Sequence, residues 1–426
     1  MSDKWTYRRI MVRALLALII YHLSLITSTA QLGRYKVDFH VSALDFADSI
    51  DIEWTNGQVY VPVTIEGRTQ RFLLDTGASQ TVVFQGSALA EGPHVGGIIS
   101  HDATGRTDTV SMIQLPPVQI GGLLLTGMRA TVQPRFLPAT VDGILGFDLV
   151  NGGLSMKIDV QAHRLILTDR KRHFETPAPL LKRQSESRLT YHLNFHVPYI
   201  DIVPFGRRPE RVLFDTGSRQ FFSMNKSHFD DAFWQLSRKP STQEIAHSIV
   251  EGRAVGRHAI GHYGVEPIGE VVFLHLDNLQ LGTSVFTDVH TLTTQGGSHI
   301  GASLLQYGSV TFIPRKRQFI FQPFLSPLTS YPLAPISVGN RQLEIAFVAD
   351  TQGRPQVGLV WEGGEPYRAG FRQGDIIEQI DHRHVQNMTQ FMQWSFLRGR
   401  EYVFTLCSPQ GERREVRWVR LRANEK

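Results

Sequence analysis

The sequence predicts a mainly β protein made of two similar halves followed by a smaller α+β domain. Three observations carry this reading. An apolar run ending in Asp-Thr-Gly occurs twice, at Asp75 and at Asp215; further blocks follow both copies at matched spacing; and the pattern changes near Arg341. With 37 Gly and 21 Pro in 426 residues, 42% of them hydrophobic and 19% charged, the chain has the balance of a folded, turn-rich protein. Its length suits about three packed units better than one core.

Ahead of the first half, Lys4, Arg8 and Arg9 precede an apolar run from Ala14 to Ile26, then the small residues Ser28, Thr29 and Ala30 before Gln31. That order predicts a signal peptide over residues 1–30 and export of the mature chain. The run is shorter than the roughly 20 residues that span a bilayer, so an uncleaved membrane anchor is the alternative. The single cysteine, Cys407, excludes an intramolecular disulfide and a cysteine zinc cage. Export without disulfides suits a bacterial periplasm, or secretion, and Cys407 itself reads as a small buried thiol. The net charge of +5 is scattered along the chain and leaves no footprint for nucleic acid.

In the first half, residues 31–168, strand signals from Val59 to Ile65 lead into Phe72-Leu73-Leu74-Asp75-Thr76-Gly77-Ala78-Ser79. In the second, residues 189–322, Tyr199 to Val203 leads into Val212-Leu213-Phe214-Asp215-Thr216-Gly217-Ser218. Next come two stretches that read as long hairpins, residues 98–115 with His101 and residues 259–276 with His262 and Tyr263. The third blocks run Gly143 to Leu149 and His299 to Leu305, each followed by two short strands. The two aspartates stand 140 residues apart. A given three-residue string should occur about 0.1 times in such a chain, so duplication explains the match better than coincidence. Charged, Pro-containing segments at 169–188 and 323–340 read as linkers.

An apolar strand that ends in Asp-Thr-Gly delivers a carboxylate to a tight turn, where Gly allows close backbone approach and Thr can hydrogen-bond across to a facing loop. Two such carboxylates at contact distance cannot both ionise, so they hold one proton between them. One member then takes a proton from water while the other donates to a carbonyl, chemistry that requires no metal, cofactor or covalent intermediate. Neither a Gly-x-Ser-x-Gly elbow nor a His-Glu-x-x-His helix is present to support a serine or metal hydrolase.

From about Val59 to Phe321 these blocks resemble the retropepsin-like and pepsin-like aspartic peptidases, in particular bacterial single-chain members with two lobes and a C-terminal PDZ domain. The resemblance implies two pseudo-symmetric retropepsin-like β-barrel lobes, endopeptidase action on a peptide or protein, and catalytic roles for Asp75 and Asp215. It implies that Thr76 and Thr216 clasp the two loops, that Gly77 and Gly217 complete their turns, and that Gly146 and Gly301 lie beneath them. The hairpins would be flaps bearing His101, His262 and Tyr263; a solvent-facing or locally satisfied histidine is the competing reading. The family's hydroxyl residue two places after the motif's Gly is met by Ser79, but Arg219 stands at the matching place in the second half. The two aspartates should therefore be inequivalent, with Arg219 directed outward because Phe221 and Phe222 can fill the interior.

Over residues 341–426, Gly358-Leu359-Val360 and Ala369-Gly370-Phe371-Arg372-Gln373-Gly374-Asp375-Ile376-Ile377 resemble a PDZ domain of bacterial type. A short helix should end at Gly370, a turn should follow at Gly374-Asp375, and Thr389 to Leu397 should form a second helix. The resemblance implies a groove that binds a peptide C-terminus by strand addition, with Val357, Gly358 and Leu359 on it. His382 and His384 have no third ligand placed by the sequence, so no metal site is read there. The short connection between halves favours pairing within one monomer. The rival function is a catalytically inactive exported peptide-binding adaptor.

Overall fold

The computed structural model describes residues 39–175, 186–205, 208–324, 334–394, 396–397 and 399–419. The expected signal peptide lies outside the described residues, as do parts of both expected linkers. The described protein is mainly β.

Strand formation follows the side-chain alternation. In Gln58–Ile65, Val59, Val61, Val63 and Ile65 point into one core, and the turn at Glu66 and Gly67, both with φ above 0, returns the chain as Arg68–Leu74. One strand earlier, Asn56 and Gly57 at φ of 53° and 73° turn the chain into Gln58–Ile65, and Phe195 and His196 at 52° and 62° do the same for Val197–Ile202, which pairs with Glu210–Asp215.

Both halves pair their strands in the same order. In the first, Arg68–Leu74 lies parallel to Gly143–Leu145, which is antiparallel to Thr81–Phe84; then come Arg129–Gln133, Thr107–Gln114 and His94–His101. In the second, Glu210–Asp215 lies parallel to His299–Gly301, which is antiparallel to Phe222–Asn225; then come Val289–Thr294, Gly269–Leu276 and Val250–Gly256. In each half the third sequence block is thus threaded between the Asp-bearing strand and the strand that follows it. A six-stranded sheet joins the halves, with Ser155–Asp159 of one antiparallel to Gly308–Ile313 of the other. Phe147, Tyr191, Phe214, Phe312 and Phe319 pack edge-on at this junction and are fully buried.

The second half departs from the sequence reading in two places. Helices Lys226–Ser237, capped by the Asn225 side chain, and Pro240–Ser248, with proline in its first turn, were not expected. Its long hairpin accordingly begins at Val250, ahead of the expected 259, and carries a small secondary hairpin, Ile260–Gly261 with Gly264–Val265, at its end.

Residues 345–419 form a separate six-stranded sheet around their own apolar cluster, including Val357, Phe371, Ile377, Phe404 and Leu406. The first helix, Glu365–Ala369, ends at Gly370 with φ of 115°, and Gly374 turns at 93°, as the sequence requires. Asp375 fixes that turn by accepting from Arg372 N at 2.7 Å and from Arg414. The second helix spans only Met388–Met392, shorter than the expected Thr389–Leu397. Cys407 is half-buried, not fully enclosed, because its strand Glu401–Cys407 turns that position partly to solvent.

Candidate active site

The two Asp-Thr-Gly loops meet. The carboxyl groups of Asp75 and Asp215 lie side by side against Gly77, where an added Cβ would fall 2.7 Å from Asp215 Oδ1 and 3.1 Å from Asp75 Oδ1, and both residues are half-buried. Asp75 Oδ1 accepts from Gly77 N at 2.8 Å and Ala78 N at 3.2 Å; Asp215 Oδ1 accepts from Gly217 N at 2.9 Å and Ser218 N at 3.3 Å. Each loop's glycine faces the other loop's carboxyl. A Cβ on Gly77 would lie 2.7 Å from Asp215 Cγ, and one on Gly217 2.6 Å from Asp75 Cγ, so only glycine permits the approach.

Beneath the carboxyls, Thr76 and Thr216 are fully buried and exchange four hydrogen bonds between the halves. Thr76 Oγ1 donates to Phe214 O at 2.6 Å and accepts from Thr216 N at 3.1 Å; Thr216 Oγ1 donates to Leu74 O at 2.7 Å and accepts from Thr76 N at 3.0 Å. Gly146 and Gly301 lie against the loops from below. Their added Cβ atoms would fall 2.5 Å from Gln80 O and 2.2 Å from Gln220 O, which are backbone atoms that cannot swing aside. The next residues secure the loops: Phe147 N donates to Ala78 O and Ala302 N to Ser218 O, both at 2.8 Å.

Burial pushes both dyad carboxyls above the ordinary carboxylate range, and the charge of Asp215 adds to the rise at Asp75. The rise is the greater at Asp75, where the neighbouring Asp215 adds to burial, whereas the Asp75 carboxyl lowers Asp215, so the two groups titrate as an inequivalent pair.

Ser79 does not bond Asp75, whose Oδ1 is served by backbone N–H groups. Arg219 turns away from Asp215. Its Nε and Nη2 donate to Gln58 Oε1 of the other half at 3.0 and 2.7 Å, while Phe221 and Phe222 fill the interior. Gln58 is buried and also donates from Nε2 to Gly217 O at 2.9 Å, which braces the second loop from the first half. The sequence reading missed Gln58; a lone polar residue opening an apolar strand was its only signal.

Behind the first loop, buried Asp148 accepts from Thr81 N at 2.9 Å and has its carboxyl pushed up to about 6 by burial. Its counterpart Ser303 donates from Oγ to Arg219 O. Asp148 stood in the third block, yet alternation gave no reason to single it out.

The expected flap residues lie at the ends of the two hairpins, which touch. Tyr263 N donates to Asp102 Oδ2 at 2.8 Å, and Arg106 Nη1 donates to Tyr263 O at 3.2 Å. Asp102 also holds its own turn through Thr104 N, Thr104 Oγ1 and Arg106 N. His262 is half-buried against Phe136, with ring centroids 4.2 Å apart, and burial lowers its pKa. Exposed His101 instead packs against Phe195, with ring centroids 4.9 Å apart and the planes tilted by 36°.

Val357, Gly358 and Leu359 are not at a free edge. Their strand, Pro355–Val360, sits between Ile345–Ala349 and Ile376–Ile380, and Val357 and Leu359 are fully buried. The strand that ends the sheet order is Ile345–Ala349, with Phe347 against Phe391 of the short helix at 4.8 Å. Among the described residues, Glu251, His275 and His290 bring metal-capable atoms within 4.8 Å of one another. The two imidazoles are stacked at 4.3 Å and 5°, so their in-plane lone pairs run side by side, and Glu251 already bonds His290 Nδ1.

A model of the aspartyl protease family matches residues 61–149. This stretch is aspartyl-protease-like. The aspartyl-protease-like residues include Asp75, Thr76, Gly77, Ser79, His101 and Gly146, whereas Asp215 and the second half fall beyond the matched range. No curated protein is matched by the chain. Among solved structures it is similar to basic 7S globulin from soybean at 11% identity, over 65% of this chain and 94% of that one, with a TM-score of 0.36.

Proposed function

We propose that this protein is an aspartic endopeptidase in which Asp75 and Asp215 activate one water molecule for attack on a peptide bond. The observation that carries the reading is the pair of neighbouring carboxyls supplied by matching loops of the two halves and fastened by the Thr76–Thr216 exchange. In the singly protonated pair the ionised member takes a proton from water and the protonated member donates to the scissile carbonyl. The Thr76–Thr216 bonds keep the carboxyls in register, so little reorganisation accompanies the transfer. The two hairpins act as flaps over an extended peptide, which adds as a strand and directs alternate side chains into apolar pockets.

On this reading the halves are pseudo-symmetric retropepsin-like lobes, an inference supported by their common strand order. Residues 345–419 act as a PDZ-like domain that recruits substrate, its groove lying between Ile345–Ala349 and Met388–Met392. The protein works as an exported monomer, periplasmic or secreted, with an uncleaved N-terminal anchor as the alternative.

Digestion of a proteome-derived peptide pool at acidic and neutral pH, with Asp75→Asn alongside, tests the proposal. Bonds cut by the wild type and spared by the variant support it. No cleavage by folded wild type over that pH range favours the inactive adaptor.

A further inference from the structure

The long hairpin of the second half is gripped at both ends. Near its outer strand, Arg257 N donates to Gly358 O at 2.9 Å, and Arg257 Nη2 donates to Gln356 Oε1 at 3.1 Å. This close approach admits no side chain at Gly256 or Gly358. A Cβ on Gly256 would lie 2.5 Å from Gly358 O, and one on Gly358 would lie 2.5 Å from Arg257 O. Beside it, Val271, Phe273 and Leu292 of the hairpin sheet share one apolar cluster with Ala346 and Leu359, and Trp361 packs against them with its ring 5.5 Å from that of Phe273. Gly252 makes room for the indole, whose Nε1 would be 2.6 Å from an added Cβ.

The approach to the C-terminal sheet is fastened to the same strands. Asn340 Oδ1 accepts from His290 N at 2.9 Å, Asn340 Nδ2 donates to His290 O at 2.6 Å, and Gln342 Nε2 donates to Glu251 Oε2 at 2.9 Å. At the far end, Tyr263 meets Asp102 and Arg106 of the first hairpin. A module serving only as a tethered recruiter would not need matched glycines and a shared apolar cluster with the hairpin.

We propose that the C-terminal domain is a positioning element for the second flap: Trp361 and Gly358 hold the hairpin 250–276 where its tip can engage Asp102 and Arg106. This rests on the peptidase reading, in which closed flaps retain the peptide. Loosening the contact would release the tip and weaken substrate retention with the dyad left intact.

The test uses the full chain carrying Trp361→Ala and, separately, Gly252→Val. The second variant drives a wedge from the hairpin side and leaves the core of the C-terminal domain untouched. Amide hydrogen exchange should accelerate about tenfold or more across residues 258–265 in both variants, with Thr76 and Thr216 amides unaltered. On a cleaved peptide, KM should rise about five- to twentyfold while kcat stays within about twofold. Unchanged exchange at 258–265 in both variants, or a fall in kcat with KM constant, overturns the inference. Faster exchange at 258–265 with no cleavage by wild type upholds the grip and removes the peptidase reading alone.

Discussion

Thr76 and Thr216, 140 residues apart, each donate a hydroxyl to the backbone before the other's aspartate and accept the other's backbone N–H. Every polar atom in this exchange is buried, so losing one hydroxyl strands two partners at once. Thr76→Val should cost roughly 2–4 kcal/mol, about twice the penalty for one unsatisfied buried group, whereas Thr76→Ser should recover most of it. Denaturant unfolding of the two variants checks this; equal stability would show that the bonds contribute little.

Gly146→Ala and Gly301→Ala should each destabilise by about 1–3 kcal/mol, because the new methyl meets backbone carbonyls that are themselves hydrogen-bonded. Both should also lose activity beyond their loss of stability, since the displaced carbonyls belong to the loops that carry Asp75 and Asp215. Thermal unfolding alongside kcat separates the two effects.

Asp148 predicts a pH dependence of stability. Its folded pKa of about 6 lies above the ordinary 3.8, so the folded protein holds a proton that the unfolded chain releases between those values. The favourable contribution is complete below about pH 4 and is lost as pH rises to about 6, a change of about 3 kcal/mol. In Asp148→Asn this part of the slope should vanish. Unfolding free energies measured from pH 4 to 7 decide it, and parallel curves for wild type and variant would be the contrary result.

Arg219→Ser should leave the pH–rate profile unmoved, because the guanidinium is spent on Gln58 and not on Asp215. Gln58→Leu should lower kcat several-fold by freeing Gly217 O from its brace. A shift in the acid limb for Arg219→Ser would place the arginine's charge back on the dyad.

Much of this arrangement was legible in the sequence, because repetition and obligatory glycines leave marks at fixed positions. Asp75, Thr76 and Gly77, with Asp215, Thr216 and Gly217, declare a turn that only those residue types satisfy, and Gly146 and Gly301 mark backbone contacts that exclude any side chain. Contacts between distant segments left no such mark. Gln58, Asp102 and Arg106 act through partners 159, 161 and 157 residues away, and nothing local distinguishes them from surface polar residues. The helices Lys226–Ser237 and Pro240–Ser248 have no counterpart in the first half, so the repeat leaves no sign of them. Val357, Gly358 and Leu359 were misplaced for a related reason: a glycine in a strand signals close backbone approach, and here the approaching chain is Arg257, not a ligand.

On the peptidase reading Asp75 and Asp215 share one proton. The most direct measurement is kcat/KM against pH on a peptide the wild type cleaves. A shared proton predicts a bell: activity falls at low pH when both carboxyls are protonated, falls again when both are ionised, and drops by about a thousandfold or more in Asp75→Asn and in Asp215→Asn at the optimum. A profile that rises with pH to a plateau, or cleavage of the same bonds within tenfold of wild type by either variant, would contradict it.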